Sequence, residues 1–423
     1  MEISCPVSGI LYMTRHTQNK SLITLILGML ATVTPFAIDL YLPAFSQIAS
    51  ELDTTTAKIS LSVSSYFIGM ALGQLMYGPL LDRFGRKKPL YIGLIIFMIA
   101  SIGCTFAKSV ELLVTLRFIQ ALGGSVAAVA SVAMVKDFFP PEQGARVFAM
   151  LILTIGVSPL LAPTIGGFIA TAIGWKAVFF LLSLIALVAM TIVFLFLPEG
   201  HKPDATVSLK LKPMLKTYFS ILSDTQFFTY TLSGSFSFAT LFIYVAGSPI
   251  VFMEIFKVSP QMYGGIFAFL SVGFIGGSQL NIYLTKKFSS HQIFRFALIT
   301  QVIAGFAFLF VAWNDWMSLY STILMFFIFL SCVGLINPNA TALALAPFTK
   351  NVGSASAMLG CTQIGIAALA SIGVGMFDSS NTFAMIALMV VTSSFALFLL
   401  LTGEKKMAGK IVSTSENKGV ITH

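Results

Sequence analysis

Residues 68–88, IGMALGQLMYGPLLDRFGRKK, decide how this chain folds. The stretch opens apolar, with Gly69 and Gly73 about one helical turn apart. It closes on the charged turn Gly78-Pro79-Leu80-Leu81-Asp82-Arg83-Phe84-Gly85-Arg86-Lys87-Lys88. An apolar helix that runs straight into an acid and a basic cluster reads as a helix leaving a lipid bilayer. A weaker second copy lies 204 positions on: residues 272–288, VGFIGGSQLNIYLTKKF, align Gly273, Gly277, Leu284 and Phe288 with Gly69, Gly73, Leu80 and Phe84. Such internal symmetry suggests two related membrane-embedded halves, an arrangement common among transporters.

The whole composition agrees. Of 423 residues, 57% are hydrophobic, 13% aromatic and 10% charged, and mean hydropathy is +0.92. Soluble domains carry about 25% charged residues, so disorder, a coiled coil and an ordinary cytosolic enzyme are excluded. Apolar segments near the ~20 residues needed to cross ~30 Å of hydrocarbon stand at 21–43, 59–80, 89–107, 112–135, 146–171, 175–197, 227–252, 261–284, 292–312, 317–343, 353–377 and 381–402. The predicted fold is an all-α integral membrane protein, with twelve transmembrane helices in two six-helix pseudo-repeats. The predicted organisation is an N-terminal segment (1–20), a six-helix bundle (21–197), a linker (198–226), a second six-helix bundle (227–402) and a tail (403–423). The first span is too long for the apolar region of a signal peptide and contains Asp39 and Pro43, so it reads as a retained helix.

Charge placement fixes orientation. With the N-terminus inside, the inner segments hold 20 of the 25 Lys and Arg, the outer segments hold Lys58, Lys108, Lys176 and Lys257, and Arg117 alone lies within a span. That asymmetry predicts both termini and the linker on the cytoplasmic face. Trp175, Trp313 and Trp316 fall at outer connections and read as interfacial anchors. The net charge of +9 is thus a topology signal; no basic segment interleaves with aromatics, so nucleic acid is not a predicted partner. Cys5, Cys104, Cys332 and Cys361 lack metal-ligand spacing, and His16, His201, His291 and His423 form no sequence cluster. No metal or cofactor is expected.

Charges within spans are costly and mark function by default. Two are predicted: Asp39 in span 1 and Arg117 in span 4, both in the outer half. One reading is a structural ion pair. The other is a carboxyl group that titrates, with Arg117 adjusting it: loss of water favours the neutral acid, and a nearby guanidinium favours the charged one.

The 78–88 turn resembles the G-x-L-x-D-R-x-G-R-K loop signature of the major facilitator superfamily. The resemblance implies a conformational latch, carried here by Gly78, Asp82, Arg83, Gly85 and Arg86, in which Asp82 and Arg83 bridge neighbouring helix ends. Span 4 has Arg117-Phe118-Ile119-Gln120-Ala121-Leu122-Gly123, similar to the superfamily's R-x-x-Q-G-x-G, whose Arg is linked to proton coupling. Span 5 has Ser158-Pro159-Leu160-Leu161-Ala162-Pro163-Thr164-Ile165-Gly166-Gly167, resembling the G-P-x-x-G-G signature of drug/proton antiporters with Ala162 in place of a Gly. Together with Asp39-Leu40-Tyr41-Leu42-Pro43, Gly174-Trp175, Asn337-Pro338-Asn339-Ala340-Thr341 and Gly353-Ser354-Ala355-Ser356-Ala357, the chain resembles the bicyclomycin/chloramphenicol resistance (Bcr/CflA) branch of the twelve-span antiporters over about residues 20–402.

The resemblance implies a proton-coupled exporter of small amphipathic compounds in the bacterial inner membrane, a monomer driven by the proton gradient. Asp39 and Arg117 are the predicted proton-coupling pair. By depth, Tyr41, Tyr66, Phe67, Gln120, Tyr230, Phe236, Phe238, Tyr244, Asn337, Asn339 and Gln363 are candidates for the substrate site, against ordinary packing for each. A proton symporter for a nutrient is the alternative within the same fold; the span 5 pattern argues for export. A membrane-embedded enzyme needs clustered intramembrane His, Ser or carboxylates, which the spans lack, and a receptor more often carries sizeable soluble domains.

Overall fold

The computed structural model describes residues 20–139, 141–200, 203–204, 218–348, 352–376 and 382–407. Most of the predicted linker, the N-terminal segment before Lys20 and the tail beyond Met407 lie outside the described residues, as do Cys5, His16, His201, His423, Lys350 and Asp378. The inner-to-outer charge tally therefore rests on the sequence.

Among the described residues, twelve helices are long and apolar enough to cross a membrane. They are α1 (Lys20–Asp39), α2 (Thr56–Phe84), α3 (Lys87–Thr105), α4 (Val110–Phe138), α5 (Pro141–Ala172), α6 (Trp175–Phe196), α7 (Thr225–Pro249), α8 (Pro260–Leu284), α9 (Ser290–Trp313), α10 (Leu319–Leu345), α11 (Val352–Met376) and α12 (Thr382–Met407). Each matches a predicted span, but several run longer. α2 extends past residue 80 to Phe84, and α12 extends past 402 to Met407, so Asp82, Arg83 and Glu404 sit on helix ends rather than in loops. The predicted tail thus begins as helix.

Polar residues before the apolar runs explain many of the starts. Thr55, Ser109, Asp224, Ser259, Ser289 and Ser318 each accept a backbone N–H three residues on, capping α2, α4, α7, α8, α9 and α10. Span 1 is broken where the sequence shows one helix. Pro43 has no N–H to give the Asp39 carbonyl, so α1 stops at Asp39. A short 3₁₀ turn, Leu42–Ala44, leads into a separate helix, Phe45–Glu51. That helix covers Trp175, which is buried and donates its indole N–H to Glu51 at 2.5 Å; Trp175 is not the predicted interfacial anchor, whereas Trp313 and Trp316 are exposed.

Lipid is as apolar as leucine, so helix association here depends on close packing through small residues rather than on hydrophobic burial. The repeated glycines serve that need. A Cβ on Gly69 would lie 2.5 Å from the Phe118 carbonyl oxygen of α4, and a Cβ on Gly277 would collide with the Ser331 carbonyl oxygen of α10. The repeat in sequence is thus a repeat in packing, α2 on α4 and α8 on α10. Ala121, where the superfamily pattern has a glycine, packs against Gly69, so the glycine of this contact sits on the facing helix. The two sets of six helices meet along α5 with α8 and α2 with α11.

Candidate functional site

The break after α1 sets the site. Asp39 is the last residue of the helix and 7% exposed, and its Oδ2 accepts one hydrogen bond, from the Ser158 hydroxyl of α5 at 3.4 Å. It is the one buried carboxyl group among the described residues. Ser158 belongs to the span 5 pattern, so the acid and that pattern are joined directly.

Asp39 and Arg117 make no ion pair. Arg117 is fully buried; its Nη1 donates to Gln120 Oε1 at 2.5 Å, and Gln120 Nε2 donates to Ser101 at 2.6 Å. Its Nε and Nη2 have no hydrogen-bond partner. Aromatic faces supply the compensation: the guanidinium carbon lies 4.2 Å from the Tyr66 ring centroid, 4.8 Å from Tyr41 and 5.9 Å from Phe179. Tyr41 lies just beyond the break, two residues after Asp39, and its hydroxyl bonds Ser62 at 2.7 Å. The segment Asp39-Leu40-Tyr41 therefore ties the acid to the aromatic cage of the arginine.

At the predicted outer ends of their helices the two sets pack tightly against each other. A Cβ on Gly167 would meet the Pro260 carbonyl oxygen at 2.7 Å, and one on Gly264 would meet Thr164 Cα at 2.7 Å, so α5 and α8 touch backbone to backbone. Gly166 packs more closely still on the Leu40 carbonyl, within the break itself. Ala162 is fully buried; Pro159 and Pro163 lie within α5. Across α2 and α11, Ser371 bonds Ser64 at 2.8 Å and Gly375 packs on Leu61. Thr56, at the start of α2, bonds Glu254, in the π-helical turn Ile250–Ile255 that ends span 7. Phe67 and Phe242 meet edge to face at 4.4 Å beneath this seam.

The 78–88 turn forms an ion-pair knot whose centre is Arg86. Its Nη1 bonds Asp82 at 2.6 Å, and its Nε and Nη2 bond Asp137 of α4 at 2.7 and 3.3 Å. Burial opposes the charge of Arg86, and the two carboxylates outweigh it, holding its pKa above the ordinary value. Gly85, at φ +82°, makes the turn that brings Arg86 back onto Asp82. Gly78 has open space around it. Arg83 lies 5.8 Å over the ring of Phe84, and Arg86 makes the ion pairs with Asp82 and Asp137. Glu199, after α6, accepts the backbone N–H groups of Arg86 and Lys87 at 2.6 and 3.3 Å, at the start of α3. Neither Asp137 nor Glu199 stood out in the sequence, because each reads as an ordinary inner-side charge. At the predicted inner end of the other half, Glu404 of α12 lies 3.5 Å from both His291 and Arg295 of α9, and His291 Nδ1 bonds Tyr230 at 2.8 Å.

The substrate candidates divide into two groups. Tyr41, Tyr66 and Gln120 surround Arg117, Tyr244 and Phe67 are packed among aromatics, Asn339 donates to Asn281 at 2.6 Å, and all six are buried. Tyr230 is committed to His291. Phe236 packs on Phe395 of α12, and Phe238 on Phe242. Asn337 and Gln363 are half-buried and bonded to each other at 3.0 Å.

The Major Facilitator Superfamily profile matches residues 27–370. A Bicyclomycin resistance protein homolog of Haemophilus influenzae is 30% identical over 93% of this chain and 100% of its own length. Multidrug resistance protein D of Escherichia coli is 27% identical, over 85% of this chain and 89% of its own. The fold matches the crystal structure of a D-xylose-proton symporter, with TM-score 0.70 and 15% identity, over 89% of this chain and 97% of that one.

Proposed function

The chain belongs to the Major Facilitator Superfamily, and we propose that it exports small amphipathic compounds in exchange for protons across the bacterial cytoplasmic membrane. It is a multi-pass membrane transporter rather than an enzyme. In this reading it works as a monomer without a cofactor, and its termini and linker face the cytoplasm. Its relatives named for bicyclomycin and multidrug resistance support the drug-export reading.

One observation carries the proton coupling: the one buried carboxyl group among the described residues lies against Ser158, on the helix that lines the outer seam. A single hydroxyl at 3.4 Å and no cation within ion-pair distance compensate a carboxylate poorly. The seam therefore closes over Asp39 with its proton on. Loss of that proton to the cytoplasm, as substrate arrives from the same side, leaves an unpaired charge in the seam, which costs several kcal/mol. The outer side opens in response. Substrate leaves, a proton from outside neutralises Asp39, and the seam closes again. Tyr41, two residues on, transmits each change to the cage of Arg117.

The test is transport by purified protein in liposomes with an imposed pH gradient. Wild type should move substrate against the proton flow, and Asp39→Asn should not. Substrate moving with protons would select the symporter reading.

A further inference from the structure

We propose that Gln74 of α2 is a specificity-determining residue, forming with Asn337 and Gln363 a three-amide subsite that selects uncharged hydrogen-bonding substrates over apolar cations. The inference rests on the export reading and names the chemistry of its site.

Gln74 is half-buried, and its carboxamide has no hydrogen-bond partner among the described residues, although it lies well inside a membrane-spanning helix. Its Oε1 lies 3.1 Å from where a Cβ on Gly360 of α11 would stand. Gly360 is one turn before Gln363 on the same helix. Gln74 thus comes from one set of six helices and meets the other at the turn that bears Gln363. Counted from the cytoplasmic ends of their helices, Gln74 is 10 residues in, Asn337 is 8 and Gln363 is 11. At 1.5 Å per residue these depths agree within about one helical turn.

The three amides have capacity to spare. Gln363 Nε2 donates to Asn337 Oδ1, but Gln363 Oε1 and Asn337 Nδ2 have no protein partner among the described residues. Together with both ends of the Gln74 amide, they leave at least two acceptor and two donor positions unfilled. None of these atoms is buried without contact to open space. A polar group held at this depth and left unpaired is costly unless something polar reaches it. A ligand carrying amide, hydroxyl or lactam groups would supply the missing hydrogen bonds. The surroundings also exclude a cation: the one buried carboxyl group among the described residues is Asp39, committed to the outer seam. An apolar cation would find no counter-charge and would strip water from three amides without replacing it.

The experiment is direct binding to the purified full chain in lipid nanodiscs. Linezolid and chloramphenicol serve as neutral hydrogen-bonding probes; tetraphenylphosphonium serves as the apolar cation. Wild type should bind a neutral probe more tightly than the cation. Gln74→Leu should weaken that neutral binding about three- to tenfold, the worth of one hydrogen bond, and leave the cation unchanged. Gln74→Asn should recover part of the loss. Gln363→Leu should behave like Gln74→Leu, and the double variant should lose less than the product of the two, since both amides touch one ligand. An equal loss of neutral and cationic probes on Gln74→Leu, or no loss of either, would overturn the assignment. Binding of the cation alone would overturn it and leave export standing. Binding of neither class by a well-folded wild type would overturn export and subsite together.

Discussion

The carboxyl group of Asp39 and the hydroxyl of Ser158 join the broken end of α1 to the helix that seals the outer seam, at 3.4 Å. One proton site and one closing surface therefore share a contact. Asp39→Asn keeps the shape and removes the charge, so the seam should close but never be driven open by proton loss. Uphill export should fall to background while the purified protein keeps its thermal stability. Ser158→Ala should be milder, because it removes a single long hydrogen bond worth about 1 kcal/mol. It should shift the pH profile of exchange without abolishing transport. Uphill export at the wild-type rate by Asp39→Asn would place the proton site elsewhere.

Arg117 has its charge compensated by rings, and this makes a particular prediction about lysine. Arg117→Lys keeps the charge but loses the flat guanidinium that lies over Tyr66 and Tyr41 and reaches Gln120. Transport should fall at least tenfold. Tyr66→Leu should lower it too, since cation–π contacts in desolvated sites are worth about 2 kcal/mol. Transport rates in liposomes and thermal unfolding of each variant check this. Wild-type behaviour of Arg117→Lys would reduce the cage to passive packing.

Gly167 tests the seam itself. A methyl group there would collide with the Pro260 carbonyl oxygen, which is backbone and cannot step aside. Gly167→Ala should push α5 and α8 apart and favour the outward-open arrangement. Spin labels at Lys108 and Asn314, on outer turns of the two halves, should report a longer distance than in wild type. An unchanged distance distribution would mean that the seam relaxes locally.

How far the sequence reveals this arrangement depends on what kind of signal each part leaves. The spans and the repeat of Gly69 and Gly73 in Gly273 and Gly277 are legible because lipid imposes length and close packing on the residues directly. Faces are not legible. These helices are apolar nearly all round, so no periodicity shows that Ser158 points at Asp39 or that Tyr41 and Tyr66 enclose Arg117. Trp175 misleads for a related reason: its position at an outer turn suits an interfacial anchor, and only the fold of Phe45–Glu51 buries it. Gln74 passes unnoticed because an isolated amide carries no charge to mark it. Arg86 and Arg83 are equivalent in sequence, and the turn at Gly85 makes Arg86 the partner of Asp82 and Asp137.

That distinction within the cytoplasmic knot is measurable. Arg86 is 7% exposed and serves two carboxylates, of which Asp137 is 12% exposed and Asp82 is 50% exposed. Arg86→Ala leaves Asp137, mostly shielded from water, without its ion pair, at about 3 kcal/mol. Asp82→Asn removes a partner that water already reaches, at under about 1 kcal/mol. Thermal unfolding in detergent should rank them in that order. Both should slow exchange more than they weaken substrate binding, since the knot lies at helix ends far from the three amides. Equal stabilities for the two variants would contradict the central place of Arg86.

The number of buried acids sets the expected stoichiometry. Asp39 is the one buried carboxyl group among the described residues; Glu51 is held by Trp175 and Lys176, and Glu111 is fully exposed in the first turn of α4. One proton should therefore cross per substrate. A neutral substrate would then be exported electrogenically and a monovalent cation electroneutrally. A membrane potential is worth ~2.3 kcal/mol per charge per 100 mV, so imposing a potential without a pH gradient separates the cases: it should drive export of a neutral substrate and leave a cation unmoved. Glu254 is the residue that would change the count. It bonds Thr56 across the seam, is partly buried, and would lose that partner whenever the outer side opens. Glu254→Gln should loosen the closed seam and leave the ratio at one. If wild type moves two protons per substrate and Glu254→Gln moves one, Glu254 is the second carrier, and the seam itself takes up a proton each time it closes.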